Sequence, residues 1–218
     1  MWDKGWDKIF LNNAWGKYPD LDLVRFFSRR FKNNKKVRVL EIGCGTGANL
    51  SFFDNEKIKS FGCDGSSVAI NKAKKLIKKR KGLSKAIIAD LTNLPFKNNS
   101  FDFVFDIECL YCNDLSGTQS ILNEVIRVLK KRGVFFSKTF STKISGVNKS
   151  KKFLIGKNIY SKILHGPLHS GYSPIRLVAE EDIKKIYKNF KNIKYDISYR
   201  TDDNRKMEIS EWLIYCEK

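Results

Sequence analysis

The stretch that most constrains this chain is Val37-Arg38-Val39-Leu40-Glu41-Ile42-Gly43-Cys44-Gly45-Thr46-Gly47-Ala48. A short run rich in β-branched and apolar residues ends in three glycines at alternate positions. The run reads as a buried strand. Glycines behind it let the backbone turn sharply and come close to a ligand. A strand that feeds a glycine-rich turn and then a helix opens a doubly wound α/β domain, whose ligands bind beyond the carboxyl ends of the strands. Gly43, Gly45 and Ala48 also satisfy the dinucleotide pattern G-x-G-x-x-G/A, so the turn by itself specifies only a nucleoside-type cofactor.

The rest of the chain keeps the alternation going. A short helix is expected near 48–54, a strand over Ile58–Cys63, and a helix over Ser66–Lys79 with Ser66 as its cap. Strands follow at Lys85–Ala89 and Phe101–Ile107. Ile121, Leu122, Val125, Ile126 and Leu129 form one apolar stripe, which predicts a helix over Ser116–Lys130 stopped by Gly133. Val134–Phe140 is the fifth strand. A helix over Glu180–Phe190 precedes two more strands, around Ile193–Tyr199 and Ile209–Cys216. The turn residues Asp202-Asp203-Asn204 between them make that pair antiparallel. Residues 1–35, with Trp2, Trp6, Phe10, Trp15 and Tyr18, and residues 141–178 stand outside the alternation. Long connections of the second kind are usually functional or mobile.

Composition narrows the classes. With 218 residues, one domain is expected. No segment approaches the roughly 20 apolar residues of a membrane helix. The start, Met1-Trp2-Asp3-Lys4-Gly5-Trp6, does not read as a signal peptide. Five cysteines at irregular spacing fit a reducing compartment, hence the cytoplasm. The formal net charge of +19 points to nucleic acid, an anionic membrane surface or an anionic small substrate. The competing account is coding bias, since Lys greatly outnumbers Arg and the basic residues run all along the chain. The second account is preferred here.

Val39-Leu40-Glu41-Ile42-Gly43-Cys44-Gly45-Thr46-Gly47 resembles the E/D-x-G-x-G-x-G signature of class I S-adenosylmethionine-dependent methyltransferases. The likeness continues in order along residues 37–140. Asp64 ends the second strand, Asp90 follows the third, and Phe101–Cys112 resembles the fourth-strand motif. Val128-Leu129-Lys130-Lys131-Arg132-Gly133 resembles the L-K-P-G-G turn, with Lys131-Arg132 in place of Pro-Gly. The whole pattern is similar to stand-alone bacterial enzymes of the methyltransferase domain 11/25 type. The resemblance implies a doubly wound, mostly parallel seven-stranded sheet with an antiparallel C-terminal strand. It implies a single domain over 1–218, divided into a helical cap (1–35), a cofactor-binding core (36–140), a substrate-side insertion (141–178) and a C-terminal helix and hairpin (179–218).

The same resemblance assigns roles. S-adenosylmethionine is the expected cofactor and S-adenosylhomocysteine the product. Asp64 would accept the ribose hydroxyls in a charge-assisted pair. Asp90 would accept the adenine amino group, with Leu91 beside it. Glu41 would face the methionine ammonium, and Gly43, Gly45 and Gly47 would leave room for that tail. Cys44, Gly65, Ser66, Asp106, Ile107, Tyr111, Trp15 and Tyr18 complete the expected cofactor set. Structural roles compete: Asp64 as a helix cap, Asp90 as a turn residue, Glu41 as a lysine's partner.

Methyl transfer is an in-line displacement from an already activated donor, so positioning is the protein's main work. Some acceptors also need a base. Tyr111, His165 and His169 are the candidates. Many relatives carry a histidine where this chain has Cys112. Cys109 and Cys112 form C-x-x-C without a second ligand pair, so no metal is expected. Trp2 and Trp6 are expected to dock the leading helix on the core. The expected activity is methylation of O or N on a small-molecule or glycan-type acceptor. An RNA methyltransferase is the first alternative, although no N/D-P-P-Y/F follows the fourth strand. An NAD(P)-dependent oxidoreductase is the second. The sequence leaves acceptor and oligomeric state open.

Overall fold

The computed structural model describes residues 5–12, 16–32, 36–168 and 174–218. Five strands come first: β1 (Val39–Ile42), β2 (Ser60–Asp64), β3 (Lys85–Ile88), β4 (Phe101–Ile107) and β5 (Leu129–Phe140). They pair in parallel, and β9 (Lys191–Asp202) and β10 (Met207–Glu217) complete the sheet. The order is β3-β2-β1-β4-β5-β10-β9, with β10 antiparallel to both neighbours. This is the seven-stranded arrangement expected from the sequence. The order reverses between β1 and β4, and a doubly wound sheet opens a crevice there.

Side chains alternate across the sheet with period two. Leu40, Val104 and Phe135 point to one face and pack on Ile121, Leu122 and Val125 of α5 (Leu115–Val128) and Ile183 of α6 (Glu180–Ile186). Val39, Phe103, Phe105 and Phe136 point to the other. They meet Leu23 and Phe27 of α2 (Leu21–Arg30) and Phe53 of α3 (Leu50–Asn55). Ala69, Ile70, Ala73 and Ile77 form the buried face of α4 (Ser67–Lys79), whose lysines take the outside. Ser66 caps it as expected, its Oγ accepting from Ala69 N at 3.0 Å. α1 (Gly5–Asn12) lies against α4. The Ser66 hydroxyl donates to Asp7, and the Lys72 ammonium donates to the Phe10 carbonyl.

Three boundaries differ from the sequence reading. α5 ends at Val128, capped by Leu129, and β5 begins there. Gly133 is therefore part of the strand rather than a helix stop. The register with β4 jumps from Leu129 opposite Phe101 to Val134 opposite Phe103, so the basic residues between bulge outward. A Cβ on Gly133 would lie 2.8 Å from the Lys130 carbonyl, which explains the glycine in that bulge. α6 stops at Ile186, and Tyr187 and Phe190 turn into the core. The insertion contains a second sheet of three short strands, β6 (Leu154–Gly156), β7 (Ile159–Tyr160) and β8 (Ile175–Arg176). Among the described residues no helix is long and apolar enough to cross a membrane.

Candidate active site

A cleft of about 610 Å³ opens where the sheet order reverses, lined by the loops after β1, β2, β3 and β4, by α1, and by the insertion. Of the residues singled out in the sequence, Glu41, Gly43, Cys44, Gly45, Asp64, Gly65, Asp90, Leu91, Ile107, Tyr111 and Tyr18 line it. Gly47, Ser66 and Asp106 do not; they support it from beneath. Trp15 and His169 lie outside the described residues. His165 is exposed and is not among the lining residues, whereas its neighbours Pro167 and Leu168 are.

The support is specific. Gly43 has φ +68°. A Cβ there would come within 2.5 Å of the Cys109 Cβ. Its missing side chain thus lets the β1 loop touch the β4 loop, and the space is filled by Cys109. Gly47 likewise faces Ala73 of α4. Asp106 uses one carboxylate oxygen to accept from Cys109 N and Leu110 N, both at 3.1 Å, and so holds the loop after β4. Burial lifts its carboxyl to about 6 against these bonds and one with Ser137.

Each acidic side chain of the cleft has a distinct environment. Glu41 is 2 % exposed. Its Oε1 accepts from Asn49 Nδ2 at 2.7 Å, while Oε2 has no hydrogen-bond partner among the described residues. Its partner is an uncharged amide rather than a lysine. Burial raises its carboxyl well above the usual range; the Asn49 bond opposes this, and Asp64 and Asp106 add repulsion. Asp64 accepts from Gly45 N at 2.9 Å and Ser66 N at 2.8 Å, one on each oxygen. Burial raises it too, against those two bonds. Asp90 is exposed and accepts from the Thr92 hydroxyl and backbone N–H, which lower its carboxyl. It is a turn residue and a cleft residue at once.

Sequence reasoning missed a second group. Asn49 also accepts from Asp20 N at 2.8 Å, joining Glu41 to the start of α2. Trp6, expected to pack in the core, is only partly buried and lines the cleft with Ile9 and Phe10. Asp20, Glu108, Asn113 and Phe140 line it as well. Glu108 has φ +54°, and its backbone N–H donates to the Lys138 carbonyl. Lys138, 4 % exposed, sits beneath with Nζ 2.7 Å from Asp20, 3.2 Å from Asp22 and 3.3 Å from Glu211. Burial alone would depress this lysine, but Asp20 and Glu211 outweigh it and hold it above its usual value. Both Lys138 and Glu211 interrupt apolar strands that pair with each other. That was the available signal: opposite charges in two otherwise buried strands.

Comparisons with known proteins agree with this fold. A family model described as a methyltransferase domain matches residues 33–205. An uncharacterized protein of Methanocaldococcus jannaschii is 34% identical over 148 residues, 66% of this chain and 56% of that protein. A sterol 24-C-methyltransferase of Schizosaccharomyces pombe is 32% identical over 110 residues, 45% of this chain and 26% of that protein. The chain thus spans about half the length, or less, of these curated relatives. A solved SAM-dependent methyltransferase structure from Methanosarcina mazei superposes with a TM-score of 0.75 at 18% identity, covering 92% of this chain and 98% of that one.

Proposed function

Because the chain belongs to the methyltransferase-domain family, we propose that it moves a methyl group from S-adenosylmethionine to oxygen or nitrogen of a small-molecule or glycan-type acceptor. The observation that carries this reading is the charge of the cleft. In a chain of net charge +19, the described residues lining it include Asp20, Glu41, Asp64, Asp90 and Glu108 and no Lys, Arg or His. S-adenosylmethionine carries a sulfonium and an ammonium against one carboxylate, and so suits an acidic cleft. The pyrophosphate of a dinucleotide, or the backbone of an RNA, brings negative charge into it and is repelled.

The residues fit the cofactor. An unpartnered buried carboxylate oxygen is costly, and an ammonium against Glu41 Oε2 would relieve that cost. Asp64 keeps further lone pairs on both oxygens to accept ribose hydroxyls. S-adenosylmethionine supplies an activated methyl group when bound. The chain's own residues bind and orient: Glu41 and Asp64 by charge, Gly43, Cys44, Gly45 and Gly65 by backbone approach, Asp90, Leu91 and Ile107 along the adenosine, Tyr18 and Tyr111 at the two ends. We assign 1–218 to one catalytic unit, with cap, core, insertion and C-terminal hairpin as divided above. The apolar wall of Tyr111, Phe140 and Leu168 favours an acceptor with an apolar body, in keeping with a relative named for a sterol.

Calorimetry with S-adenosylmethionine, S-adenosylhomocysteine and NADH at two salt concentrations tests the reading. Micromolar binding of both sulfur ligands, with NADH inert, is the expected result. Silence from both in a folded protein sinks it. RNA methylation, which rests on the basic composition alone, is the second reading; a tight complex whose affinity falls steeply with salt is its signature.

A further inference from the structure

Among the described residues, three of the five acidic ones in the cleft, Glu41, Asp64 and Asp90, are accounted for by the cofactor under the reading above, on which this inference rests. Asp20 is consumed differently: one oxygen caps α2 by accepting from Leu23 N at 2.9 Å and the other meets Lys138. Glu108 remains. Glu108 itself lines the cleft, and the buried carboxyl of Glu211 is close enough to oppose its ionisation. Glu211 is fully buried, and its Oε1 has no hydrogen-bond partner among the described residues. Its Oε2 is held by Lys138 at 3.3 Å and by Arg200 at 2.7 Å.

Two neighbouring buried carboxyls repel each other when both are ionised. The groups facing Glu108 come from every packed element: Glu211 on β10, Lys138 on β5 and Asp20 ahead of α2, with Asp22 of α2 and Arg200 of β9 beyond them. Burial and Glu211 together push Glu108 to about 8, against the pull of Lys138. Beside it, the cleft wall is aromatic. Tyr111 and Phe140 pack edge to face with centroids 5.0 Å apart, and Leu168 belongs to the same cluster.

We propose that Glu108 is the catalytic proton acceptor of the cleft and that the acceptor is a primary or secondary amine on an aromatic or aliphatic body. The amine arrives as an ammonium and takes the place of the proton that Glu108 holds before the amine binds. It then gives one proton to the Glu108 carboxylate, which exposes the nitrogen lone pair. Nitrogen forms the new bond to the methyl carbon as the carbon–sulfur bond breaks, and that electron pair stays on sulfur. Charge is conserved: the sulfonium charge is lost, the Glu108 charge is neutralised, and the methylated amine leaves as a cation. Anionic acceptors are excluded by the same carboxyls.

Binding tests this without knowledge of the natural acceptor. Phenethylamine, benzylamine and tryptamine are titrated beside phenethyl alcohol and phenylacetate into protein saturated with S-adenosylhomocysteine, near neutral pH and in two buffers of different ionisation heat. The amines should bind about tenfold or more tightly than the alcohol, the worth of a charge-assisted hydrogen bond. The buffer dependence should report release of about one proton per amine, the linkage expected when a protonated carboxyl ionises on binding. Both signatures should disappear in Glu108→Gln, with Glu108→Ala as the second variant if the first does not fold. An alcohol that binds as well as the amines, a preference that survives in the variant, or no amine binding at all overturns the proposal. Failure of S-adenosylhomocysteine itself to bind refutes the cofactor reading instead, and the two failures are read separately.

Discussion

The outer face of α4 and the cleft at the strand ends carry opposite charge. Lys74, Lys75, Lys78 and Lys79 stand exposed on the helix, while the lining of the cleft is acidic and free of basic side chains among the described residues. The exposed lysines act through water and salt, which screen them beyond about 8–10 Å. The buried carboxyls act in a medium that screens little, and Glu41 and Asp64 are each held by named donors. Net charge therefore describes the protein's solubility, and the cleft alone describes the field a ligand meets. The cation that matters to the cleft is the one beneath it, Lys138, which faces Asp20 and Glu211.

The largest way to break this contrast is to remove the buried cation. Lys138→Met leaves Asp20, Asp22 and Glu211 without their common partner. It should cost about 3–5 kcal/mol, the usual penalty for breaking a buried pair; urea unfolding measures it, and an unchanged midpoint would show the network to be dispensable. Next comes Asp64→Ala, expected to weaken S-adenosylhomocysteine binding by about 1.5–3 kcal/mol. Unaltered affinity in a folded variant removes Asp64 from the cofactor site.

A graded effect follows from Glu108. Its folded carboxyl titrates at about 8 against an ordinary value of 4.5, so between those values the folded state holds a proton that the unfolded state has lost. Stability from this group is present at low pH and is lost as pH rises through that window. The melting temperature should fall from pH 5 to pH 8 and fall less in Glu108→Gln; parallel profiles would mean that Glu108 holds no extra proton in the folded state across that window. The smallest effect belongs to the outside: replacing Lys74, Lys75, Lys78 and Lys79 by Gln should change stability by no more than about 0.5 kcal/mol each and leave cofactor affinity intact. A large loss of affinity would mean that the outer charge reaches the cleft after all.

The two regions were not equally legible in the sequence. β1 and β4, with the turn after β1, could be read because each is a local pattern of a few residues. Residues on that turn and on the adjoining strand ends, such as Glu41 and Asp64, came with it. The floor beneath Glu108 is assembled from positions 20, 108, 138 and 211, which no local period connects. The strands of the insertion are two or three residues long, too short for alternation to register. The end of α5 was misjudged because Lys130-Lys131-Arg132 continues a helical polarity pattern, although tertiary pairing with β4 draws Leu129 into a strand. Trp6 was misassigned because an apolar ring on a leading helix looks the same whether it faces a core or a cavity.

Arg176 gives the insertion a meaning for protein engineering. From β8 its guanidinium reaches back to the carbonyls of Leu110 and Asn113 and to Thr118 Oγ1. The segment that walls one end of the cleft is thus stitched to the loop that carries Glu108, Tyr111 and Cys112. Grafting residues 141–178 alone from a relative into this scaffold would leave those carbonyls without their donor. The smallest transplantable module is the insertion together with the stretch from Asp106 to Thr118, and acceptor preference should travel between relatives only when both pieces travel.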